Sequence, residues 1–246
     1  MNIKKLFDRI LYYISVPKCV CCNEHLDYED KGLCKSCKEV YLDHKKRNCS
    51  RCSNVLSECF CPSDYLLNHG VKNVCKVFRY SKSEQAMPSN YLIYSLKQDN
   101  RKDVIEFLAD EMVGALKNCI DFSGGKYIIT SVPRRRKAIL NFGFDHAKVL
   151  AESVADLLEL EYMPLLISKS KKAQKSVIGE ARFSNAQFDY KSKKDISLNG
   201  YTVIIVDDII TTGASMSSCA MLIKAYKPTK VIGAALGIAY KDTQKR

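Results

Sequence analysis

No tryptophan occurs anywhere in the 246 residues, so the strongest aromatic platform for stacking on nucleobases is missing. No stretch approaches the roughly 18 consecutive apolar residues that a membrane-spanning helix needs, which excludes that class. The apolar stretch from Ile3 to Ile14 is interrupted by Asp8 and Arg9 and has no small-residue cleavage site after it. It therefore reads as a short amphipathic helix packed on the protein, not a secretory leader. No nucleotide-binding P-loop is present either. The only Gly-Lys pair, Gly125-Lys126, lacks both the upstream glycine and the following Ser or Thr that such a loop requires. Acidic residues are in short supply: 27 Asp and Glu stand against 39 Lys and Arg, a net charge of +12. An excess of that size suggests either a polyanionic partner or substrate or a generally basic, soluble surface. With 46% hydrophobic residues the chain is globular and long enough for one or two domains with a sizeable core.

The positive excess is uneven. Lys169, Lys171, Lys172, Lys175, Arg182, Lys191, Lys193 and Lys194 face only Glu180, Asp189 and Asp195 along one segment. That segment reads as an anion-facing loop, with Lys171, Lys172, Lys175 and Arg182 as its candidate cations.

Cysteine, by contrast, is plentiful. Of 12 cysteines, 9 fall between Cys19 and Cys61, in the pairs Cys19/Cys22, Cys34/Cys37, Cys49/Cys52 and Cys59/Cys61. Two Cys-x2-Cys turns each place two thiolates on one side of a tight loop, and two such loops close a tetrahedral shell around Zn2+. The competing reading, a disulfide scaffold, fits a secreted protein, and the missing leader argues for an intracellular, cytoplasmic chain with structural zinc. Cys19, Cys22, Cys34 and Cys37 form the clearer site, with Cys21 as an alternative to Cys19. The second set, Cys49, Cys52, Cys59 and Cys61, ends in a pair separated by one residue, which leaves His44, His69 or Cys75 open as substitute ligands. So small a segment buries too little apolar surface to fold alone, so metal should supply much of its folding energy.

The most informative stretch runs from Tyr201 to Ser215. Val203 to Val206 is an unbroken β-branched run, as expected of an interior strand of a parallel sheet. Asp207 and Asp208 follow at its carboxyl end, where open α/β sheets bind ligands. Thr211, Thr212, Gly213, Ala214 and Ser215 then make a hydroxyl-rich turn opening a helix, suited to an anion. Two acids after an apolar strand also describe a Walker B strand, but its partner loop is absent. The string as a whole resembles the phosphoribosyl-pyrophosphate (PRPP) signature of type I phosphoribosyltransferases.

Elsewhere, Val74 to Tyr80 reads as an entry strand, Tyr91 to Lys97 as a short helix, Val104 to Cys119 as a longer one, and Tyr127 to Ser131 as the first parallel strand. Pro133, Arg134, Arg135, Arg136 and Lys137 form a cationic loop at its carboxyl end. A helix is expected from Phe144 to Leu158, a strand near Leu165, a helix from Ala214 to Tyr226 and a last strand from Val231 to Leu236. This alternation predicts an α/β fold with a doubly wound parallel sheet. The expected division is 1–68 for the amphipathic helix and double zinc ribbon, and 69–246 for a phosphoribosyltransferase-like domain.

Taken together, the Cys pairs, Phe78-Arg79-Tyr80 with Leu96-Lys97, Pro133 to Arg136 followed by Gly143 to Ala147, the signature strand, and Gln174, Arg182, Asn185 and Phe188 resemble the ComF/GntX family. In that family a zinc ribbon precedes a type I phosphoribosyltransferase domain. Where the family has amides in R-G-F-N-Q-A, this chain has Asp145 and His146, a change that would make ligand affinity differ or follow pH. The resemblance implies that Asp207 and Asp208 hold the ribose hydroxyls directly or through Mg2+, that Thr211 to Ser215 cradle the 5'-phosphate, and that Pro133, Arg134 and Arg135 receive pyrophosphate. It also implies a role in natural transformation: binding PRPP and single-stranded DNA at the cytoplasmic face of the inner membrane, with a helicase-like translocase as partner and peripheral membrane association. The alternative is an active phosphoribosyltransferase acting on a nucleobase or another acceptor.

Overall fold

The computed structural model describes residues 16–81, 84, 86–169, 188–191 and 196–239. The expected N-terminal helix and the loop cations Lys171, Lys172, Lys175 and Arg182 lie outside the described residues, as do Gln174 and Asn185.

Five parallel strands form the main sheet: β1 (Val74–Tyr80), β2 (Lys126–Ser131), β3 (Glu161–Tyr162), β6 (Tyr201–Ile210) and β7 (Lys230–Ala239), in the order β1-β7-β6-β2-β3. The chain runs outward from β2 to β3 on one side and resumes with β6 on the other. The order therefore reverses between β2 and β6, and a crevice opens there at the strands' carboxyl ends. Val203 to Val206 of β6 are all fully buried. Ile204 and Val206 belong to one core and Val203 and Ile205 to the other, so the lack of alternation in the sequence reflects a strand covered on both faces.

The first core is built by helices α3 (Pro88–Gln98), α4 (Lys102–Cys119) and α6 (His146–Leu158), with the cysteine-rich segment packed beside them. Leu26, Leu33 and Tyr41 of that segment join Phe78, Phe107 and Leu108 in a single cluster. Tyr41 packs edge-on against Phe78 and Phe107, with ring centroids 6.0 and 5.3 Å away. The second core holds α7 (Ala214–Ile223) and Leu66 of the short helix α2 (Asp64–Asn68). Helix α1 (Lys35–Lys45) starts directly after Cys34.

Two expectations need correction. The strand near Leu165 does not join the parallel sheet. As β4 (Leu166–Ser168) it pairs antiparallel with β5 (Phe188–Tyr190) in a separate two-stranded sheet. Three residues are too few to carry a burial period, so the sequence could not place it. The cationic stretch after β2 is also only partly a loop: Arg136 begins helix α5 (Arg136–Phe142), which buries none of its residues. Smaller differences are at the termini, where the helix expected to reach Tyr226 becomes a 3₁₀ turn after Ile223.

Candidate ribose-phosphate cleft and metal clusters

The carboxyl ends of β2 and β6 enclose a cleft of about 510 Å³. From β6 and its turn come Asp207, Asp208, Thr211 and Ser215; from the loop after β2 come Pro133, Arg134 and Arg135; Tyr80 and Lys97 close it from β1 and α3. Thr212, Gly213 and Ala214 do not line it. They shape the turn, with the Ala214 amide donating to Thr212 Oγ1 at 3.3 Å. Gly213 has φ +89° and caps α7. A Cβ there would lie 2.6 Å from Leu66 Cγ, so both conformation and space require glycine.

The two acids are unequal. Asp208 is 3% exposed, and its Oδ2 accepts from Arg134 at 2.8 Å, Lys97 at 2.9 Å and His146 Nε2 at 3.0 Å. Arg134 and His146 also touch each other. Burial by itself would raise this carboxyl, but His146, Arg134 and Lys97 together hold it well below the usual carboxylate range. Asp207 is partly open to the cleft and has no ion pair among the described residues. Burial, and then the negative Asp208 beside it, push its carboxyl well above the ordinary value. Asp207 Oδ1 accepts the Asp208 amide at 2.9 Å. The pair therefore presents one carboxylate locked in ion pairs, Asp208, and one carboxyl, Asp207, that faces the cleft without an ion pair among the described residues.

Asp145 and His146 do not line the cleft. Asp145 caps α6 by accepting the Lys148 amide at 3.1 Å and also accepts the Arg134 amide at 3.3 Å. His146 is buried and acts on the cleft only through Asp208 and Arg134. Sequence reasoning assigned no role in the site to Lys97 or Tyr80, although both sit in the motifs Leu96-Lys97 and Phe78-Arg79-Tyr80.

A second cavity of about 520 Å³ adjoins the first and shares Pro133, Arg134 and Ser168 with it. Arg136, Lys148, Lys169 and Lys191 line it beside Tyr162 and Ile167. Among the described residues Asp145 is its one acid.

The cysteines gather into two groups. In each of Cys19/Cys22/Cys34/Cys37 and Cys49/Cys52/Cys59/Cys61, the sulfurs lie within 4.8 Å of one another. Separations of 3.5 Å for Cys22–Cys34 and 3.4 Å for Cys52–Cys59 approach the edge of a tetrahedron with metal–sulfur bonds of about 2.3 Å. In the second group, the amides of Arg51 and Cys61 donate to the sulfurs of Cys49 and Cys59, each at 3.4 Å. Both groups fit a metal ion. The substitutes are otherwise engaged: His44 meets Glu84 at 3.2 Å, His69 stacks on Tyr65, and Cys75 lies against Cys119. Cys21 stands outside the first group. Among the described residues, no helix is long and apolar enough to cross a membrane.

Residues 145–245 match the phosphoribosyl transferase domain family. Over 202 residues the chain is 24% identical to Competence protein ComFC of Bacillus subtilis (strain 168), covering 78% of this chain and 77% of that protein. It is 27% identical over 171 residues to Ribose-phosphate pyrophosphokinase of Sulfurisphaera tokodaii, covering 62% of this chain and 56% of that one. Among solved structures, adenine phosphoribosyltransferase from Saccharomyces cerevisiae is 19% identical, with a TM-score of 0.38 over 56% of this chain and 70% of that one. A hypoxanthine phosphoribosyltransferase from Staphylococcus aureus is 13% identical, with a TM-score of 0.34 over 58% and 69%. Those superpositions are loose, so the fold assignment rests on the strand order and the domain match.

Proposed function

We propose, from the premise that this chain is a ComF-like protein with a phosphoribosyltransferase domain, that its cleft binds PRPP. The observation that carries this is the meeting, in one cleft, of the β6 acids and hydroxyl turn with Arg134 and Arg135 of the β2 loop. Thr211 and Ser215, the turn residues that line the cleft, would take the 5'-phosphate at the start of α7, with Thr212, Gly213 and Ala214 shaping the turn. Pro133, Arg134 and Arg135 would face the pyrophosphate. Asp207, the carboxyl without a cation partner, is the group placed for the ribose hydroxyls and for Mg2+, which PRPP's own oxygens would complete. Asp208 would hold Lys97, Arg134 and His146 in position. Changing Asp207 and Asp208 together to Ala should abolish PRPP binding in calorimetry with metal content intact; unchanged affinity would remove the assignment.

We assign the chain to DNA uptake in natural transformation, where it would bind single-stranded DNA in the cytoplasm, peripheral to the inner membrane and next to a helicase-like translocase. The second cavity supports this, because the side chains of Arg136 and Lys191 have no ion pair among the described residues and Tyr162 lines the cavity with them. One strand crossing there would place phosphates on the cations next to the PRPP cleft. Affinity for a single strand should fall steeply with salt, whereas a flat response would argue against a phosphate-tracking groove.

The same cavity favours a second reading, transfer of the phosphoribosyl group to a nucleobase-sized acceptor. Pyrophosphate would leave with the bonding electrons towards Arg134 and Arg135, while the acceptor's lone pair forms the new bond to the anomeric carbon and its proton is released. Pyrophosphate release from PRPP, with nucleobases and single-stranded DNA offered separately, distinguishes the two. Release with one acceptor makes the protein an enzyme; binding without release makes it a ligand-binding module.

A further inference from the structure

Lys76 is 1% exposed, in the middle of β1. An ammonium taken out of water costs several kcal/mol unless an anion or a full set of acceptors meets it, and among the described residues no carboxylate pairs with this one. Its Nζ donates instead to Cys59 Sγ at 3.1 Å, to the carbonyls of Cys59 at 3.1 Å and Cys61 at 2.8 Å, and at 3.4 Å to that of Val74. Among the described residues, its one side-chain partner is thus a sulfur of the second cysteine group. Among the described residues no lysine donates to a sulfur of the first group.

We propose that Lys76 is the built-in counter-cation of a second tetrathiolate metal site formed by Cys49, Cys52, Cys59 and Cys61. Four thiolates around a divalent ion such as Zn2+ leave a formal charge of about −2, a poor charge to enclose beside a hydrophobic core. An ammonium against Cys59 halves it. It also ties the Cys59–Cys61 segment to the sheet, because the Val74 amide donates to the Phe60 carbonyl at 3.1 Å on the same edge strand. The shortened Cys59-x-Cys61 spacing, an oddity in the sequence, places two carbonyls and one sulfur around a single ammonium. Lys76 is therefore a positioning residue for the metal. It makes the second site part of the sheet, whereas the first belongs to the ribbon and helices α3 and α4.

The inference rests on reading the second group as a metal site, and the test separates the two. Zinc per chain is measured by mass spectrometry, and its release to a chelator is followed, for the full chain, Lys76→Met and Lys76→Arg. The expected result is two zinc ions in the parent. Lys76→Met should bind one of them 10–100-fold more weakly, the range for a lost outer partner, and so release it faster to the chelator, or lack it, while the other is unchanged; Lys76→Arg should restore much of the difference. One zinc in the parent would overturn the second site itself. Two zinc ions with unaltered release in Lys76→Met would overturn the role of Lys76 alone. Should Lys76→Met fail to fold, the parent gives the answer by amine labelling and peptide mapping. Lys76 should resist an amine reagent in the zinc-loaded protein and react once chelator has removed the second zinc; equal labelling in both states would overturn the proposal.

Discussion

Asp207 and Asp208 are neighbours in sequence with opposite electrostatic fates, and their substitutions should separate cleanly. In the folded chain the Asp207 carboxyl is raised. Between the ordinary carboxylate range and that raised value the folded state keeps a proton the unfolded chain has lost, so stability falls as pH climbs through this window. Asp207→Asn should remove that fall, giving thermal melts that are higher than the parent's near neutrality and flatter with pH. Asp208 has the reverse sign. Its depressed carboxyl contributes stability that is fully present above the ordinary carboxylate range and lost only in acid. Asp208→Asn leaves Lys97, Arg134 and His146 crowded without their anion and should cost roughly 3 kcal/mol, as for a broken buried pair, measured by urea unfolding at neutral pH.

The β6-turn-α7 unit supplies Asp207, Asp208, Thr211 and Ser215 to the cleft, and its geometry depends on one residue. Gly213→Ala would force a side chain into a left-handed backbone and against Leu66. About 2 kcal/mol of stability should be lost, together with PRPP affinity, because the turn and the start of α7 would shift. Calorimetry checks the affinity and denaturant unfolding the stability. This unit was legible from sequence because an interior parallel strand shows as an unbroken apolar run and the turn's residue types are dictated locally. Helix α5 was not legible: it buries nothing, so no apolar periodicity marks it. The β4–β5 pairing was hidden for a related reason, since register between short strands is set by what they pack on.

At the scale of the whole molecule, the cysteine-rich segment and the sheet share one core through Leu26, Leu33 and Tyr41. Chelating the metal should therefore lower the melting temperature of the entire chain and not only unfold a separate ribbon. Calorimetry with and without chelator reads this, and a single downward-shifted transition is the expected result. The sequence by itself determined the parallel α/β class, the cysteine quartets as candidate ligands, and the acids, turn and arginines of the cleft. Each of these is written in adjacent residues, through spacing, strand burial or turn chemistry. Only the tertiary structure decided which acid is locked. Arg134 and His146 lie 74 and 62 residues from Asp208, and the energy of a buried charge depends on what the fold brings beside it. The same holds for Lys76, which in Val74–Tyr80 reads as an ordinary polar residue of an edge strand until the cysteines close over it.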